Sequence, residues 1–205
     1  MTKRFIALLC MFFILTSCAD SPTEENSVPP TETPAILPES AGENKADDEE
    51  NELSTIYIIQ GKVEVSIPKS FDVMSEELLK MKYPSDNRPT TAYTNEDGTV
   101  NVAFNYTQER TTSEDMSALV KVFEDSFESH YPSAHWYRSG LEVINGRDVG
   151  VLELITPAAD TEIYNLLWFT DLDGRLMVMS FNCTVEELDN WRETANSIMG
   201  SFKLT

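Results

Sequence analysis

Two long apolar segments near the C-terminus constrain the fold of this chain most strongly. Residues 162–170 and 176–183 are almost wholly apolar, and the acidic sequence Asp171-Leu172-Asp173-Gly174 connects them. A half-buried strand alternates apolar and polar residues, whereas a continuously apolar strand is covered on both faces. The short connection ending in glycine predicts a hairpin turn. We therefore expect two neighbouring strands at the centre of a sheet that has other layers packed on both sides.

Further strand signals occur on the N-terminal side of this pair. Val63, Val65 and Ile67 alternate with polar residues until Pro68, which is the pattern of a half-buried strand. The dipeptide Asn145-Gly146 predicts a two-residue hairpin turn of type I′. In addition to the central pair, we predict strands at residues 56–59, 63–67, 90–94, 99–107, 136–144 and 148–155.

Helical periodicity predicts a short helix and a longer one in the first two thirds of the folded part. Ser75 is placed to cap the short helix, which ends before Pro84. Residues 112–115 form a capping pattern at the start of the longer helix, which ends at Tyr131-Pro132. The inward-facing residues are Leu78, Leu79 and Met81 in the short helix, and Met116, Leu119, Val120, Phe123 and Phe127 in the longer one.

A third helix is predicted after the central strand pair. The capping box at residues 184–187 opens it, and Gly200 closes it. Its apolar stripe has to pack on an apolar sheet face, so we expect Trp191 in one core layer with Leu166 and Trp168. Alternation alone leaves the odd-numbered set of that strand as the other possibility. The stripe comprises Leu188, Trp191, Ala195 and Ile198.

The order of these elements predicts an α+β fold, with an antiparallel sheet and helices packed on both of its faces. Residues 65–71 (Val-Ser-Ile-Pro-Lys-Ser-Phe) and the helix from Trp191 that ends in Ser201-Phe202-Lys203 resemble the PsbP-like and Mog1-like proteins, which include bacterial lipoproteins. The resemblance spans residues 55–205 and implies an α/β/α sandwich. It transfers no catalytic residue, because the members are mostly accessory or binding proteins.

The first 17 residues have the proportions of a signal peptide. A basic Lys3-Arg4 pair precedes an apolar run at residues 5–15, which is too short to span a bilayer. The following Leu15-Thr16-Ser17-Cys18 resembles the lipobox of bacterial lipoproteins. That resemblance implies cleavage after Ser17, diacylation of the Cys18 thiol and attachment to the membrane on its extracytoplasmic face. The alternative is an ordinary secretory leader.

Residues 18–54 are predicted to form a disordered tether behind the lipidated Cys18. The part from 19 to 54 contains five of the ten prolines, no aromatic residue, and 11 acidic residues against the single basic Lys45. Such a composition buries too little apolar area to offset its conformational entropy. A flexible chain of this length spans roughly 30 to 36 Å. The single α+β domain at residues 55–205 is therefore expected to stand clear of the membrane.

The balance of charge and the cysteine count narrow the classes of partner. The whole chain has 15 basic and 35 acidic residues, and removal of the leader takes away two of the basic ones, for a net charge of −22. An anionic chain of this kind does not favour nucleic acid as a partner.

The cysteine count indicates how the domain is stabilised. Cys10 leaves with the leader and Cys18 is acylated, so Cys183 has no internal disulfide partner. Stability has to come from a hydrophobic core.

No combination of reactive side chains in the sequence predicts a catalytic or metal site. His130 and His135 stand near Asp125 and Glu128, but Pro132 interrupts the helix between them and the spacing fits no zinc pattern. Cys183 follows an apolar strand, where a thiol is more often a small core residue than a nucleophile. Residues 171–174 match part of a calcium loop but lack its downstream glutamate, and a hairpin turn explains them fully. We expect no cofactor.

These features predict a membrane-anchored, extracytoplasmic lipoprotein that acts as a binding or accessory module. Its expected partners are the lipid bilayer, through acylated Cys18, and an envelope protein or wall component. The alternative is a cell-envelope enzyme of unknown reaction, and a structural spacer is a third possibility. An enzyme predicts a pocket on which several titratable groups with shifted pKa values converge. A binding module predicts an exposed apolar or aromatic patch, and a spacer predicts neither.

Overall fold

The computed structural model describes residues 52–84 and 88–205, so the leader, Cys18 and nearly all of the tether lie outside the described residues. The helices are α1 (Glu76–Lys82), α2 (Met116–His130) and α3 (Leu188–Ser201). The strands are β1 (Leu53–Ile58), β2 (Val63–Pro68), β3 (Asp72–Val73), β4 (Thr91–Thr94), β5 (Val100–Arg110), β6 (His135–Ile144), β7 (Arg147–Pro157), β8 (Glu162–Leu172), β9 (Arg175–Thr184) and β10 (Lys203–Leu204).

The main sheet has seven antiparallel strands in the order β3-β4-β5-β9-β8-β7-β6. The predicted apolar pair, β8 and β9, is central, as expected. Asp173 and Gly174 form the turn between these two strands with φ values of 52° and 73°. Asn145 and Gly146 form the turn between β6 and β7 with φ values of 49° and 81°. Both turns are therefore of the type I′ kind that joins two strands with two residues.

A second, three-stranded sheet of order β1-β2-β10 was not predicted. Strand β1 begins at Leu53, two residues before the expected domain start, and pairs with β2. The C-terminal residues pack behind α3, where Phe202 is buried, and they also add a strand, because Lys203 and Leu204 pair with Glu64 and Val63. The hydroxyl of Ser201, at the end of α3, accepts a hydrogen bond from the Ser66 N–H at 2.8 Å. These bonds fasten the small sheet to the last helix.

The two faces of the main sheet are covered differently. Helix α2 covers one face, where Leu152, Leu167 and Phe169 are buried with its inward-facing residues. Helix α1 lies on the same face. It packs on a small cluster that contains Ala103 of β5, and Ala103 is in register with Leu167 across β5, β9 and β8. Helix α3 and the small sheet share the opposite face. The α+β fold with helices on both faces is thus confirmed, and part of one helical layer is a small sheet.

The core confirms the predicted position of the two tryptophans. Trp168 and Trp191 lie in one cluster together with Leu166, so the even-numbered set of β8 faces α3. The prediction for Met81 is wrong: its side chain is exposed, and Tyr83 is buried after the end of α1. The helix stops at Lys82, which turns the chain so that Tyr83 reaches the core instead.

The helix starts differ in one detail from the sequence prediction. Ser75 accepts the N–H of Leu78 at 3.2 Å, as a capping residue should. Helices α2 and α3 each begin with one turn of 3-10 helix. Thr112 forms its capping box with Asp115, but the Thr184 side chain makes no capping bond.

Within the described residues, no helix combines the length and the apolar character that crossing a bilayer requires.

Candidate functional site

The two histidines lie at opposite ends of the link between α2 and β6. His130 Nδ1 is 2.8 Å from the carbonyl oxygen of Ser126, one turn earlier in α2. The His135 ring lies against Tyr137, with ring centroids 5.0 Å apart. Within residues 52–84 and 88–205, no three His, Cys, Asp or Glu side chains come together as a metal site would require. The histidines are thus each engaged locally.

Cys183 lies at the end of β9, inside the core that faces α3. Burial raises the pKa of this thiol to about 12, and the negative charges of Glu187 and Glu186 act in the same direction. A thiol in that environment stays protonated at neutral pH, and the thiolate is the nucleophilic form. Its surroundings therefore fit a core residue.

The acidic turn at residues 171–174 is held by cations of the protein. Asp171 is paired with Arg147 at 3.1 Å, and Asp173 is paired with Lys62 in the turn between β1 and β2. A calcium loop needs several oxygen ligands that converge on one point. Here the two carboxylates have separate partners, so the segment acts as a hairpin turn that also fastens the small sheet to the main sheet.

Among the described residues, the most buried carboxylate is that of Glu153 on β7, which lies under α3 and is only 2% exposed. Arg138 Nε lies 2.7 Å from Glu153 Oε2. Arg192 Nε donates to Glu153 Oε1 at 2.8 Å, and the Tyr164 hydroxyl donates to the same oxygen at 2.9 Å. Burial raises the pKa of Tyr164, and the Glu153 carboxylate raises it further. Two cations and a hydroxyl therefore compensate one buried anion.

The arginines extend this cluster to the protein surface. Arg138 donates to Glu142 at 2.9 Å and to Asn196 on α3 at 2.5 Å. The Arg192 guanidinium lies 4.2 Å above the ring of Tyr137. The contacts of Arg138 with Asn196, of Arg192 with Tyr137 and of Arg192 with Glu153 join β6 or β7 to α3. The cluster therefore fixes the last helix over the outer strands, and its carboxylate is shielded from substrate by its own partners.

A second polar feature lies on the opposite face of the main sheet. Asn101, Asn182 and Asn165 are fully buried and stand side by side on β5, β9 and β8. The Asn101 amide donates to Asn182 Oδ1 at 3.1 Å, and the Asn165 amide donates to Thr156 at 3.0 Å. A slip of one residue would move these amides to the other face, so the row favours a single strand register.

Two exposed apolar side chains lie together on the outermost long strand of the main sheet, β6, whereas the exposed Val73 lies on the two-residue strand β3 at the other edge. Leu141 is 46% exposed and Val143 is 72% exposed, and both lie on the face of α2. Among the residues that the structure describes, β6 pairs only with β7, so its other edge is free of any described strand. Proteins usually protect a free edge with charges, bulges or short length. β6 has ten residues and leaves apolar side chains at its edge, which marks it as the candidate binding surface.

The hairpin turn fixes which backbone groups of β6 face outward. In a two-residue hairpin, the residues that flank the turn exchange hydrogen bonds, and hydrogen-bonded pairs then alternate with non-bonded ones. Ile144 is paired with Arg147 across the turn. It follows that Ser139, Leu141 and Val143 belong to non-bonded pairs and direct their N–H and C=O groups away from β7. We call residues 139–143 the free edge.

Acidic side chains stand at both ends of the free edge. The Ser139 hydroxyl donates to the Glu124 carboxylate on α2. Asp148 lies directly opposite Val143 in the β6–β7 register, so it shares the face of α2 with that side chain. The free edge therefore offers an apolar centre, unpaired backbone groups and a negative charge at either end.

The sequence analysis did not single out the free edge or the Glu153 cluster. Glu153 is the one charged residue in the apolar stretch 149–155, and that isolation is a signal for a buried ion pair. Its partners Arg138 and Arg192 are far away in the sequence, so no local pattern identifies them. Strand order decides which strand is outermost, and periodicity contains no information about strand order.

Comparison with known proteins gives similarity at the level of the fold. No protein-family model matches the chain, and no curated protein matches it by sequence. The solution structure of the cyanobacterial PsbP protein (CyanoP) from Synechocystis sp. PCC 6803 has a TM-score of 0.54 at 13% identity, over 82% of this chain and 98% of that one. This similarity confirms the PsbP-like fold.

Two further solved structures are similar. A protein from Bacteroides thetaiotaomicron VPI-5482 has a TM-score of 0.50 at 12% identity, over 74% of this chain and 48% of that one, so the chain spans about half of its length. LpqN, involved in cell envelope biogenesis of Mycobacterium tuberculosis, has a TM-score of 0.49 at 10% identity, over 81% of this chain and 99% of that one. At these identities the likeness concerns the fold alone.

Proposed function

We propose that this protein is a lipid-anchored, extracytoplasmic binding module that holds an envelope partner at the free edge of β6. The observation that carries the proposal is the combination of exposed Leu141 and Val143 with outward-facing backbone groups on one edge strand. An apolar patch of this kind is what a binding module requires.

The buried polar groups support binding in preference to catalysis. Glu153, the carboxylate with the most buried surroundings, is enclosed by Arg138, Arg192 and Tyr164. A general acid or base has to reach a substrate proton. The charge of Glu153 is instead used to fix α3 over β6 and β7, so the cluster acts as a rigid support beneath the candidate surface.

Attachment through Cys18 is supported by the order of the leader: a basic pair, an apolar run and the sequence Leu15-Thr16-Ser17-Cys18. A single acyl chain gives only marginal membrane binding, and two or more chains give stable anchoring. The acidic, proline-rich segment after Cys18 then separates the domain from the lipid surface.

Replacing Cys18 with alanine is expected to release the protein from the membrane fraction or to leave it unprocessed. The measurement is fractionation of cells followed by a wash at high salt, which removes proteins that are held by charge alone. Cys10→Ala is the matched control, because it changes a leader cysteine outside the lipobox and should leave anchoring unchanged. Retention of the Cys18→Ala protein in the washed membrane would contradict lipid anchoring.

A photoreactive amino acid at Val143 is expected to form a covalent adduct in intact cells, because that side chain is exposed beside the free edge. Tyr57 on β1 is the matched control, since it is 64% exposed on a different sheet and should give no equivalent adduct. The adducts are compared by gel shift and mass spectrometry. Equal adducts at the two positions, or none at Val143, would contradict a binding role for this edge.

A further inference from the structure

We propose that the free edge binds an extended peptide segment as an additional strand, and that this segment has alternating apolar residues bounded by lysine or arginine. The inference deepens the proposed function and rests on it, because it specifies how the same surface recognises its partner. Strand addition uses main-chain hydrogen bonds for affinity and alternate side chains for specificity.

The backbone of the free edge provides the hydrogen-bonding groups for such a segment. Ser139, Leu141 and Val143 each direct one N–H and one C=O away from β7, as their register with Leu152, Gly150 and Asp148 requires. Five residues of strand span about 17 Å, which is the usual length of a strand in a sheet. The register shift between Trp136 and Arg138 ends this regular stretch on one side.

The side chains beside the free edge define the composition of the segment. Leu141 and Val143 are exposed on the face of α2, so every second residue of an added strand meets an apolar surface there. Glu124 stands at the Ser139 end, and Asp148 stands opposite Val143 at the other end. Cationic side chains at both ends of an apolar core are the complement of this arrangement.

Charge also selects against a second copy of this chain as the occupant. The net charge of the chain is −20, so two copies repel each other at long range. Pairing two β6 strands side by side would also bring together the acidic ends of two free edges. A cationic segment gains from the same field that opposes self-association.

The first test uses a defined probe, the nine-residue peptide Lys-Lys-Val-Thr-Val-Thr-Val-Lys-Lys, and the mature chain with Cys18→Ala labelled with ¹⁵N. We expect chemical-shift changes centred on the amides of Ser139, Leu141 and Val143. A peptide with glutamate in place of the four lysines should bind about tenfold more weakly or not at all, because it meets Glu124 and Asp148 with like charge.

Backbone methylation distinguishes strand addition from side-chain docking. An added strand directs only every second N–H group toward its neighbour. Two methylated forms of the peptide are compared, one with N-methyl groups on the valines and one with them on the threonines. We expect one form to lose binding by about tenfold or more and the other to bind nearly as well as the parent peptide. Equal binding by both forms would overturn strand addition.

Substitution of the protein gives an independent test. Leu141→Pro removes an outward N–H group, and proline is tolerated on an edge strand when its nitrogen faces solvent. We expect about a tenfold loss of peptide binding with little change in melting temperature, whereas Leu141→Ala keeps the N–H group and loses less. Unchanged binding by the proline variant would overturn the proposal, and the methylated peptides give the answer if that variant unfolds.

Failure of this inference can be told apart from failure of the proposed function. If Val143 forms its adduct in cells but the two methylated peptides bind alike, the edge is a binding surface that does not add a strand. If Val143 forms no adduct, the proposed function itself is wrong. A dimer of the mature chain that Leu141→Pro converts to a monomer, measured by sedimentation, would show a second copy as the occupant and overturn the inference.

Discussion

Replacing Trp191 with alanine is expected to lower the free energy of unfolding by about 3 to 5 kcal/mol, the range for large aromatic truncations in cores. Trp191 is 4% exposed on the inner face of α3. Its ring centroid lies 5.3 Å from that of Phe71, which follows β2, and 6.3 Å from that of Phe181 on β9. The side chain therefore packs between the last helix, the segment that follows β2 and strand β9, and truncation leaves a cavity that these three parts border.

The measurement is urea unfolding of the variant followed by circular dichroism, because the substitution removes one of the three tryptophan fluorophores. Tyr57→Ala is the matched control: the side chain is 64% exposed, so we expect a change within about 0.5 kcal/mol. Trp191→Phe keeps an aromatic ring in the site and should cost less than Trp191→Ala. A loss below about 1 kcal/mol for the alanine variant would contradict burial of Trp191 in the core.

The position of Trp191 illustrates which parts of the fold the sequence predicts well. Helical spacing identifies the buried stripe of α3, and the continuous apolar character of β8 and β9 identifies the centre of the sheet. Both signals are local, because burial of one face fixes the spacing of apolar residues within a single element. The same reasoning predicted the type I′ turn at Asn145-Gly146 and a hairpin turn at residues 171–174, since asparagine or aspartate followed by glycine accepts positive φ values.

The three-stranded sheet could not be predicted in the same way. β10 contains only Lys203 and Leu204, which is too short for a periodic signal. Its partner β2 lies at the other end of the domain in sequence. Pairing between the two is decided by the position of α3, which delivers the C-terminal residues to the edge of β2. Short strands that tertiary packing brings together leave no pattern in the sequence.

The candidate surface was missed for a related reason. β6 alternates between exposed and partly buried residues, which predicts a strand but not its place in the sheet. Only the strand order shows that β6 is outermost, and only the register across the Ile144–Arg147 pair shows which backbone groups are free. Isolated exposed apolar residues are common on protein surfaces, so the exposure of Leu141 and Val143 alone indicates little. It indicates a binding surface only once the strand order places both residues on the outermost strand.

The alanine substitution of Gly150 is expected to lower the free energy of unfolding by about 3 kcal/mol, at the upper end of the usual cost of overpacking a core. Gly150 on β7 lies directly opposite Phe169 on β8. A Cβ atom at position 150 would lie 2.3 Å from both Cε2 and Cζ of the Phe169 ring. The ring cannot move away easily, because it is fully buried and stacked on Phe123 of α2 at 4.5 Å. The Phe169 ring therefore occupies the space that a side chain at position 150 would need.

The matched control for this prediction is Gly200→Ala, since a Cβ at Gly200 near the end of α3 would meet no atom within 4 Å apart from its chain neighbours and the backbone of its own helix. Alanine is favoured over glycine in a helix, so that variant should be unchanged or more stable by up to about 1 kcal/mol. Thermal and urea unfolding of both variants give the comparison. The double variant Gly150→Ala with Phe169→Leu should lose less unfolding free energy than the two single variants lose together, because the smaller side chain at position 169 removes the clash. Additive losses, or a Gly150→Ala protein as stable as the parent, would show that the ring and the strand move apart at little cost.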